Sequence, residues 1–374
     1  MIAILLTNRA LAGLAGMRQA GVVSEKIGVV IAGLNGAVAS TVVAGVELIR
    51  RGLAEPIGLL SEDPAVQKMA ALAPLDRLVF AGWDPRLENE HEAAIRNDVV
   101  GVEQLKPVAP ALRKLRAWPA RWSVAAARRD LAAFQRKHGL ARVVVVNLTS
   151  TEPAGKRGAS AIYARAAIES GCPFVNFTPN IADELPALRK LAEQRGVPLA
   201  GKDGKTGQTM MKSVLAPAFR ARSLRVAGWF STNLLGNEDG RTLKNPAAHR
   251  AKEKCKSDLL DQMLGYRVPS HLVQINYYPP RGDNKEAWDN IDLIGFLGKP
   301  MALKVNFLCR DSILAAPLVV DLVRFMDLAA RRGGRGPQEW LSFYFKAPYA
   351  RHQPIEQGLA EQYRALLAHL RQVK

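Results

Sequence analysis

The stretch that decides the fold lies near the N-terminus and reads IGVVIAGLNGAVAS at residues 27–40. Its first six residues form a short apolar, β-branched run, which is typical of a strand buried on both faces. A turn with glycines at 33 and 36 follows, and residues 41–51 carry helical spacing. This order places a helix N-terminus at the turn, which suits a pyrophosphate. Asn35 stands where the G-x-G-x-x-G pattern has its second glycine, so a plain strand-to-helix turn remains an alternative.

Three further apolar runs are each followed by polar residues. The runs cover residues 77–81, 142–146 and 173–175. The carboxyl ends of parallel strands share one edge of a sheet, where open α/β folds bind their ligands. Helical stretches between the runs predict a doubly wound α/β domain. We therefore expect one crevice lined by Asp84, Thr149, Ser150, Thr151 and Asn176.

The composition is that of a large folded protein with excess positive charge. The chain has 374 residues, 48% hydrophobic and 23% charged, which excludes wholesale disorder and collagen-like or coiled-coil proteins. The length predicts two to three domains, or one large domain with an insertion. With 52 Lys and Arg against 34 Asp and Glu, the net charge is +18. Such a charge favours acidic partners, namely nucleic acid, a membrane surface or phosphorylated small molecules.

The most basic segment, residues 112–137, also carries two tryptophans. A nucleic-acid surface is one interpretation. No recognised nucleic-acid motif accompanies the segment, so we prefer a solvated helical face whose arginine stems cover apolar surface. On this interpretation no nucleic-acid partner is expected.

Residues 1–24 are interpreted as an N-terminal extension. Their apolar run, residues 1–6, is shorter than the roughly 18 residues that a membrane span needs. Positive charge follows this run, whereas a secretory signal carries it in front. The three cysteines lie far apart and indicate neither a disulfide framework nor a thiolate zinc cluster. These features predict a cytoplasmic protein with no membrane association.

A polar, glycine-marked loop at residues 201–209 runs into an apolar helical segment at residues 210–215. The first N–H groups of a helix have no intrahelical partner, so together with hydroxyl groups they can bind an anion. The candidate ligands are Thr206, Gly207, Gln208 and Thr209. An ordinary N-cap is the alternative.

Lysines cluster in the segments that follow this loop. Lys252 and Lys256 are four residues apart, so a helix would place both on one face, where they repel unless an anion lies opposite. A solvated lysine face is the alternative. Lys346 ends the aromatic-rich run at residues 340–345. A partly buried ammonium there would exchange protons near neutrality, although it could also extend to water.

In order and spacing, these segments resemble the signature blocks of the inositol-3-phosphate synthase (myo-inositol-1-phosphate synthase) family. The similarity covers nearly all of the chain after residue 25. A single block is unspecific, but the ordered set is highly specific. The matching blocks are residues 201–215, 231–243, 252–261, 281–289 and 309–322, together with the loop at Gly33, residues 82–84 and residues 147–152.

The resemblance implies an NAD-dependent isomerase that cyclises D-glucose 6-phosphate to 1D-myo-inositol 3-phosphate. In the implied reaction C5 is oxidised, the C6 proton is removed, the enolate attacks the C1 aldehyde, and the ring ketone is reduced again. This chemistry needs a phosphate anchor, proton shuttles and cations near developing oxyanions. The alternative is a related NAD-dependent sugar-phosphate carbocyclase or oxidoreductase that acts on another hexose phosphate.

The resemblance also implies roles for individual positions. The implied catalytic residues are Lys252, Lys256, Lys285, Lys346, Asp203 and Asp311. The implied substrate-binding residues are Thr206, Gly207, Gln208, Thr209, Asn233, Asn237 and Asp239. The implied cofactor-binding residues are Gly33, Asn35, Gly36, Ala37, Asp84, Thr149, Ser150, Thr151 and Asp203. No metal site is expected, because the histidines show no zinc-ligand spacing.

The expected fold class is α/β. It comprises an NAD-binding, Rossmann-type doubly wound domain at residues 25–210 and 311–374, with an inserted mixed α/β catalytic domain at residues 211–310. By resemblance, the inserted domain also builds a homotetramer. Four residues depart from the family pattern: Asn35 and Ala39 replace loop glycines, Lys202 replaces a frequent aspartate, and Thr232 replaces a usual tyrosine. These departures affect the expected contacts with the cofactor more than the expected reaction.

Overall fold

The computed structural model describes residues 25–152, 158–180, 185–236, 259–351 and 355–372. The predicted N-terminal extension at residues 1–24 lies outside these ranges. The described strands are β1 (Ile27–Ala32), β2 (Leu78–Asp84), β3 (Trp118–Pro119), β4 (Arg142–Asn147), β5 (Phe174–Asn176), β6 (Pro198–Gly201), β7 (Arg225–Leu235), β8 (Ser270–Tyr277), β9 (Asn284–Ile294), β10 (Pro300–Arg310) and β11 (Gly336–Pro337).

Helices connect most of these strands, and residues 259–264 are also helical. The helices are α1 (Ala37–Arg50), α2 (Pro64–Met69), α3 (Glu90–Asn97), α4 (Val102–Leu105), α5 (Ala109–Leu112), α6 (Val124–His138), α7 (Ala159–Glu169), α8 (Leu185–Arg195), α9 (Gly207–Ala221), α10 (Asp311–Arg331) and α11 (Leu359–Arg371).

The larger sheet is parallel throughout and has the strand order β11-β6-β5-β4-β1-β2-β3. The strand order reverses between β1 and β4, which creates a crevice at their carboxyl ends. This is the doubly wound, Rossmann-type arrangement that the opening stretch predicted. The predicted strand at residues 27–32 is confirmed with the same bounds.

Both faces of this sheet are covered by helices. Ile27, Val29 and Ile31 of β1 pack in one core with α1 and α10, whereas Val30 and Ala32 pack in a second core with α6 and α7. All six residues of β1 are buried, which explains why the strand is apolar throughout instead of alternating. Because α10 follows β10 in sequence and packs in the first core, the C-terminal part of the chain returns to the parallel sheet.

The smaller sheet is mixed and has the order β10-β9-β7-β8. Strands β7 and β8 are parallel, and the other two pairs are antiparallel. One face is covered by α9 and by the helical residues 259–264. Ala216 and Phe219 of α9 pack into this core, so α9 runs from the parallel sheet to the mixed one. The domain boundary predicted between residues 210 and 211 falls inside this helix.

Candidate active site at the carboxyl edge of the parallel sheet

The turn after β1 requires glycine at its first position. Gly33 has a φ of +89°, and a Cβ atom there would lie 2.8 Å from the carbonyl oxygen of Leu148. Left-handed backbone is costly for residues with a side chain, and this contact is shorter than a Cβ tolerates. Leu148 directly follows β4, so the turn approaches that strand closely at the point where the strand order reverses.

Helix α1 begins at this turn with its N–H groups uncapped by side chains. Gly36 is its N-cap residue, and the first turn holds no acidic residue. Residues 37–39 line a cavity in front of the helix, and residues 149–151 line it from the end of β4. Unpaired N–H groups and the helix dipole attract an anion to this position.

Asn35 and Asp84 lie behind the glycine turn instead of on the cavity wall. The backbone N–H of Asn35 donates to Asp84 Oδ2 at 3.1 Å, and its side-chain amide donates to Glu90 Oε1 at 3.0 Å. Burial raises the pKa of Asp84 above its ordinary value. Neither Asn35 nor Asp84 is among the residues that line the cavity, and their role as cofactor ligands stays a prediction.

The cavity has a volume of about 680 Å³ and joins the glycine turn to the mixed sheet. Most of the predicted site residues meet on its wall, whereas Gly207 and the buried Asn176 do not. Lys252, Lys256, Asn237 and Asp239 lie outside the described residues. The predicted residues that line the cavity are Gly33, Gly36, Ala37, Thr149, Ser150, Thr151, Asp203, Thr206, Gln208, Thr209, Asn233, Lys285, Asp311 and Lys346.

Two segments distant in sequence bring Lys346 to the cavity. The backbone N–H of Lys346 donates to the carbonyl oxygen of Asp203 at 2.7 Å, and Lys202 exchanges backbone hydrogen bonds with Ala347. The Lys346 ammonium donates to Asp203 Oδ1 at 2.8 Å. Asp203 therefore orients this lysine through both main chain and side chain.

A second acidic residue, Asp311, contacts a hydroxyl group and an ammonium group at the N-terminus of α9. Asp311 Oδ1 accepts a hydrogen bond from Thr206 Oγ1 at 2.9 Å and lies 3.6 Å from Lys285 Nζ. Thr206 is the N-cap residue of α9, but its side chain does not cap the helix. The alternative of an ordinary N-cap is thus not realised, and Gln208 and Thr209 of the first turn line the cavity together with Lys285.

Sequence reasoning missed Asp289, which holds Gln208 in place. Its carboxylate is buried and accepts hydrogen bonds from Gln208 Nε2 at 3.0 Å, Trp229 Nε1 at 2.7 Å and Ser231 Oγ at 2.5 Å. Gln208 Oε1 in turn accepts from Asn233 Nδ2 at 2.8 Å. Burial alternates along β9, which places Asp289 on the covered face of the mixed sheet. A strand-like alternation in the sequence was the signal that could have identified Asp289 as buried.

Two buried lysines near the cavity were also missed. Lys212 Nζ lies 2.9 Å from His271 Nε2, and burial lowers the pKa of Lys212 to about 8 although Asp289 opposes the shift. Lys205 donates to Gln362 Oε1 of α11, and burial lowers the pKa of Lys205 to about 7. Neither lysine lines the cavity. The burial of these two lysines depends on α11 and on the mixed sheet, so no local sequence pattern predicts it.

A metal centre and a membrane span were also sought in the part of the chain that the structure describes. There, no three His, Cys, Asp or Glu side chains come close enough together to hold a metal ion. None of the helices built from those residues is long and apolar enough to cross a bilayer.

Comparison with known proteins places this site in a family context. A family model described as Myo-inositol-1-phosphate synthase matches residues 207–312, and an NAD-binding model with the same description matches residues 27–125. The chain is 40% identical to inositol-3-phosphate synthase 1 of Bacteroides thetaiotaomicron over 92% of its own length and 95% of that protein. It is 32% identical to inositol-3-phosphate synthase 1 of Rattus norvegicus over 74% of its length and 61% of the rat protein.

Solved structures show the same fold. The crystal structure of inositol-3-phosphate synthase from Caenorhabditis elegans superposes with a TM-score of 0.84 and 24% identity, covering 93% of this chain and 85% of that one. A myo-inositol-1-phosphate synthase-related protein from Thermotoga maritima gives a TM-score of 0.76 and 23% identity, covering 92% of this chain and 98% of that one. On the sequence matches and this fold, the chain belongs to the myo-inositol-1-phosphate synthase family.

Proposed function

We propose that this chain converts D-glucose 6-phosphate to 1D-myo-inositol 3-phosphate, using NAD as a cofactor that is regenerated within each turnover. The observation that carries the proposal is that one cavity joins the glycine turn and the α1 N-terminus to Lys285, Lys346 and their aspartates. A dinucleotide and a sugar phosphate require anion-binding groups at two places, and the cavity offers both.

The glycine turn has the features that NAD requires. The backbone at Gly33 leaves no room for a side chain, and the uncapped N-terminus of α1 faces the cavity, which suits a pyrophosphate. Residues 149–151 would contribute hydroxyl groups from the end of β4. When bound, NAD supplies a hydride acceptor at C5 of the sugar and later returns the hydride.

The N-terminus of α9 is the proposed phosphate anchor. Since the Thr206 hydroxyl is held by Asp311, the N–H groups of Gln208 and Thr209 are available to phosphate oxygens. The Lys285 ammonium lies on the same wall and would balance the phosphate charge. By the resemblance, Lys256 also contributes to this anchor.

Lys346 is the proposed group for proton transfer and oxyanion stabilisation. Its ammonium is held by Asp203 at 2.8 Å and lies on the cavity wall, where a fixed cation stabilises an enolate or alkoxide. Because the ion pair is partly buried, solvent screens it less than it would a surface pair. By the resemblance, Lys252 shares this role.

The domain division and the assembly form part of the same proposal. We assign residues 25–210 and 311–374 to the NAD-binding domain and residues 211–310 to the inserted catalytic domain that builds a homotetramer in the cytoplasm. The first domain also contributes Asp203, Asp311 and Lys346 to the site. Among the described residues, the face of the mixed sheet opposite α9 exposes Phe230, Leu272, Trp288 and Leu308, and an apolar face of this kind is typical of a subunit interface. Analytical ultracentrifugation of the full chain should give the mass of four subunits, and Trp288→Asp should lower it.

The reaction can be tested with glucose 6-phosphate deuterated at C5. Incubation of the full chain with NAD should yield inositol phosphate, separated by chromatography and identified by NMR, with the deuterium retained in the product. Because substrate and product are isomers, no NADH should accumulate. Net NADH formation would instead indicate an oxidoreductase, and a different cyclic product would indicate a related carbocyclase.

A further inference from the structure

Asn35 and Glu90 form a buried pair behind the cofactor turn. Asn35 Nδ2 donates to Glu90 Oε1 at 3.0 Å, and both residues are fully buried. The two remaining oxygens of the pair, Asn35 Oδ1 and Glu90 Oε2, are buried and have no hydrogen-bond partner among the described residues. Each is an acceptor, and a buried acceptor without a donor destabilises the folded state.

A single proton would satisfy both oxygens. A carboxylic acid has one O–H donor and one free acceptor, and a primary amide has a donor and an acceptor with the matching arrangement. If Glu90 carries its proton on Oε2, the acid donates to Asn35 Oδ1 while Oε1 continues to accept from Asn35 Nδ2. An ionised Glu90 has acceptors only and leaves both oxygens unpaired.

The charges around the pair favour this protonated form. Asp84, at the end of β2, and Glu88 both face Glu90 and raise its pKa, and Arg96 of α3 opposes them. The guanidinium of Arg96 is already paired with Glu88 at 2.8 Å, and Arg86 is the other cation beside Asp84. Burial is the largest influence and raises the pKa of Glu90 to about 8.

We propose that Glu90 is a protonated acid in the folded protein and that it positions the cofactor turn by closing a two-hydrogen-bond pair with Asn35. The carbonyl oxygen of Asn35 also accepts from Arg96 Nη2 at 2.8 Å and Asn97 Nδ2 at 3.1 Å. Asn35, which directly precedes the second glycine of the turn, is thus held through its main chain and its side chain. This arrangement explains why asparagine is tolerated where the dinucleotide pattern has glycine: the side chain points away from the cavity.

Ionisation of Glu90 should weaken the turn. It removes one hydrogen bond of the pair and places a negative charge behind the helix N-terminus that faces an anion. Affinity for NAD is therefore expected to fall at alkaline pH, and this consequence rests on the proposed function. The protonation of Glu90 itself does not.

The decisive experiment compares the wild type with Glu90→Gln, whose amide can make both hydrogen bonds at any pH. Urea unfolding of both proteins without cofactor is measured from pH 5 to pH 9, with the exposed Glu55→Gln as the matched control. Between the ordinary pKa of 4.5 and the raised value of about 8, the unfolding constant of the wild type should rise about tenfold per pH unit relative to Glu90→Gln. Above that range the ratio should stop changing.

A spectroscopic measurement on the folded wild type keeps the proposal falsifiable even where the variant folds poorly. Infrared spectra of protein labelled with ¹³C-glutamate should show the C=O stretch of a protonated carboxyl group at pH 7. Absence of this band, or a ratio of unfolding constants that is independent of pH, would overturn the proposal.

Binding of NAD at pH 7 and pH 9 tests the consequence for the turn. The wild type should bind more weakly at pH 9, and Glu90→Gln should bind equally at both values. If the infrared band and the unfolding ratio are as expected but neither protein binds NAD, the proposed cofactor is wrong and the assignment of the proton to Glu90 stands.

Discussion

The two ends of the cavity are built in different ways. The end at the parallel sheet is made of main chain: a glycine turn and the first N–H groups of α1. The other end, between β6 and the mixed sheet, is made of side chains: Asp203 with Lys346 just after β6, and Asp311 with Thr206 and Lys285 beside the mixed sheet. The positions of main-chain groups follow from local backbone geometry, whereas the positions of paired side chains depend on the tertiary contacts between distant segments. The two ends should therefore fail in different ways when they are altered.

The largest effect is expected at the side-chain end. Replacement of Lys346 by alanine removes the ammonium that Asp203 orients, and kcat should fall by about 10²–10⁴-fold, the range typical of a lost proton-transfer group. NAD affinity and the unfolding midpoint should change little, since the turn after β1 is untouched. The control is Lys68→Ala on an exposed position of α2. Retained turnover in Lys346→Ala would remove this lysine from the proposed reaction.

The main-chain end should respond to Gly33→Ala. The added Cβ meets the Leu148 carbonyl oxygen at 2.8 Å in left-handed backbone, so the turn must shift. We expect about 100-fold weaker NAD binding, because strain of this kind costs up to about 3 kcal/mol. Titration calorimetry measures the loss. Gly52→Ala is the matched control, because Gly52 also has positive φ but its Cβ would meet nothing within 4 Å. If both variants lost the same NAD affinity, the effect would come from backbone strain alone and not from the contact with Leu148.

Asp289→Asn should perturb the side-chain end indirectly. The carboxylate accepts three hydrogen bonds, and an amide cannot accept all of them, so the free energy of unfolding should fall by about 1–3 kcal/mol. Gln208 loses its support, so KM for glucose 6-phosphate should rise more than kcat falls. Asp76→Asn, at an exposed position outside the mixed sheet, should change neither quantity. A kcat effect without a KM effect would argue against this role.

The smallest effect at neutral pH is expected for Lys205→Met. Burial lowers the pKa of Lys205 from 10.5 to about 7, so above pH 7 the unfolded chain binds a proton that the folded chain does not. The stability of the wild type should therefore rise relative to the variant between pH 7 and pH 10, as measured by urea unfolding. This sign is opposite to the one expected for Glu90. Lys68→Met, at an exposed position of α2, is the control, and a difference that does not depend on pH would show that Lys205 keeps its ordinary pKa.

Much of the cofactor end was predictable because its determinants are local. The apolar run at residues 27–32, the glycines at 33 and 36 and the helical spacing after them predict β1, the turn and α1 in their observed order. Asn35 and Asp84 were also predicted as cofactor ligands; neither lines the cavity, and that role stays a prediction. A motif states which residues lie near a turn, but the direction of each side chain depends on what packs behind it, here α3 with Glu90.

At the substrate end the residue types were predictable, but their partners were not. The family resemblance named Asp203, Asp311, Lys285 and Lys346, and all four line the cavity. Asp289, Lys205 and Lys212 were missed, because each is defined by burial against elements distant in sequence.

Sequence alone determined the class of fold, the family and the chemical character of the cavity, since periodicity, turn glycines and ordered motifs are properties of the chain itself. Tertiary structure decided which carboxylate pairs with which lysine, which acidic side chain is buried and where the two sheets meet. Hydrogen bonds and burial depend on neighbours in space, and neighbours such as Lys346 and Asp203 are 143 positions apart along the chain.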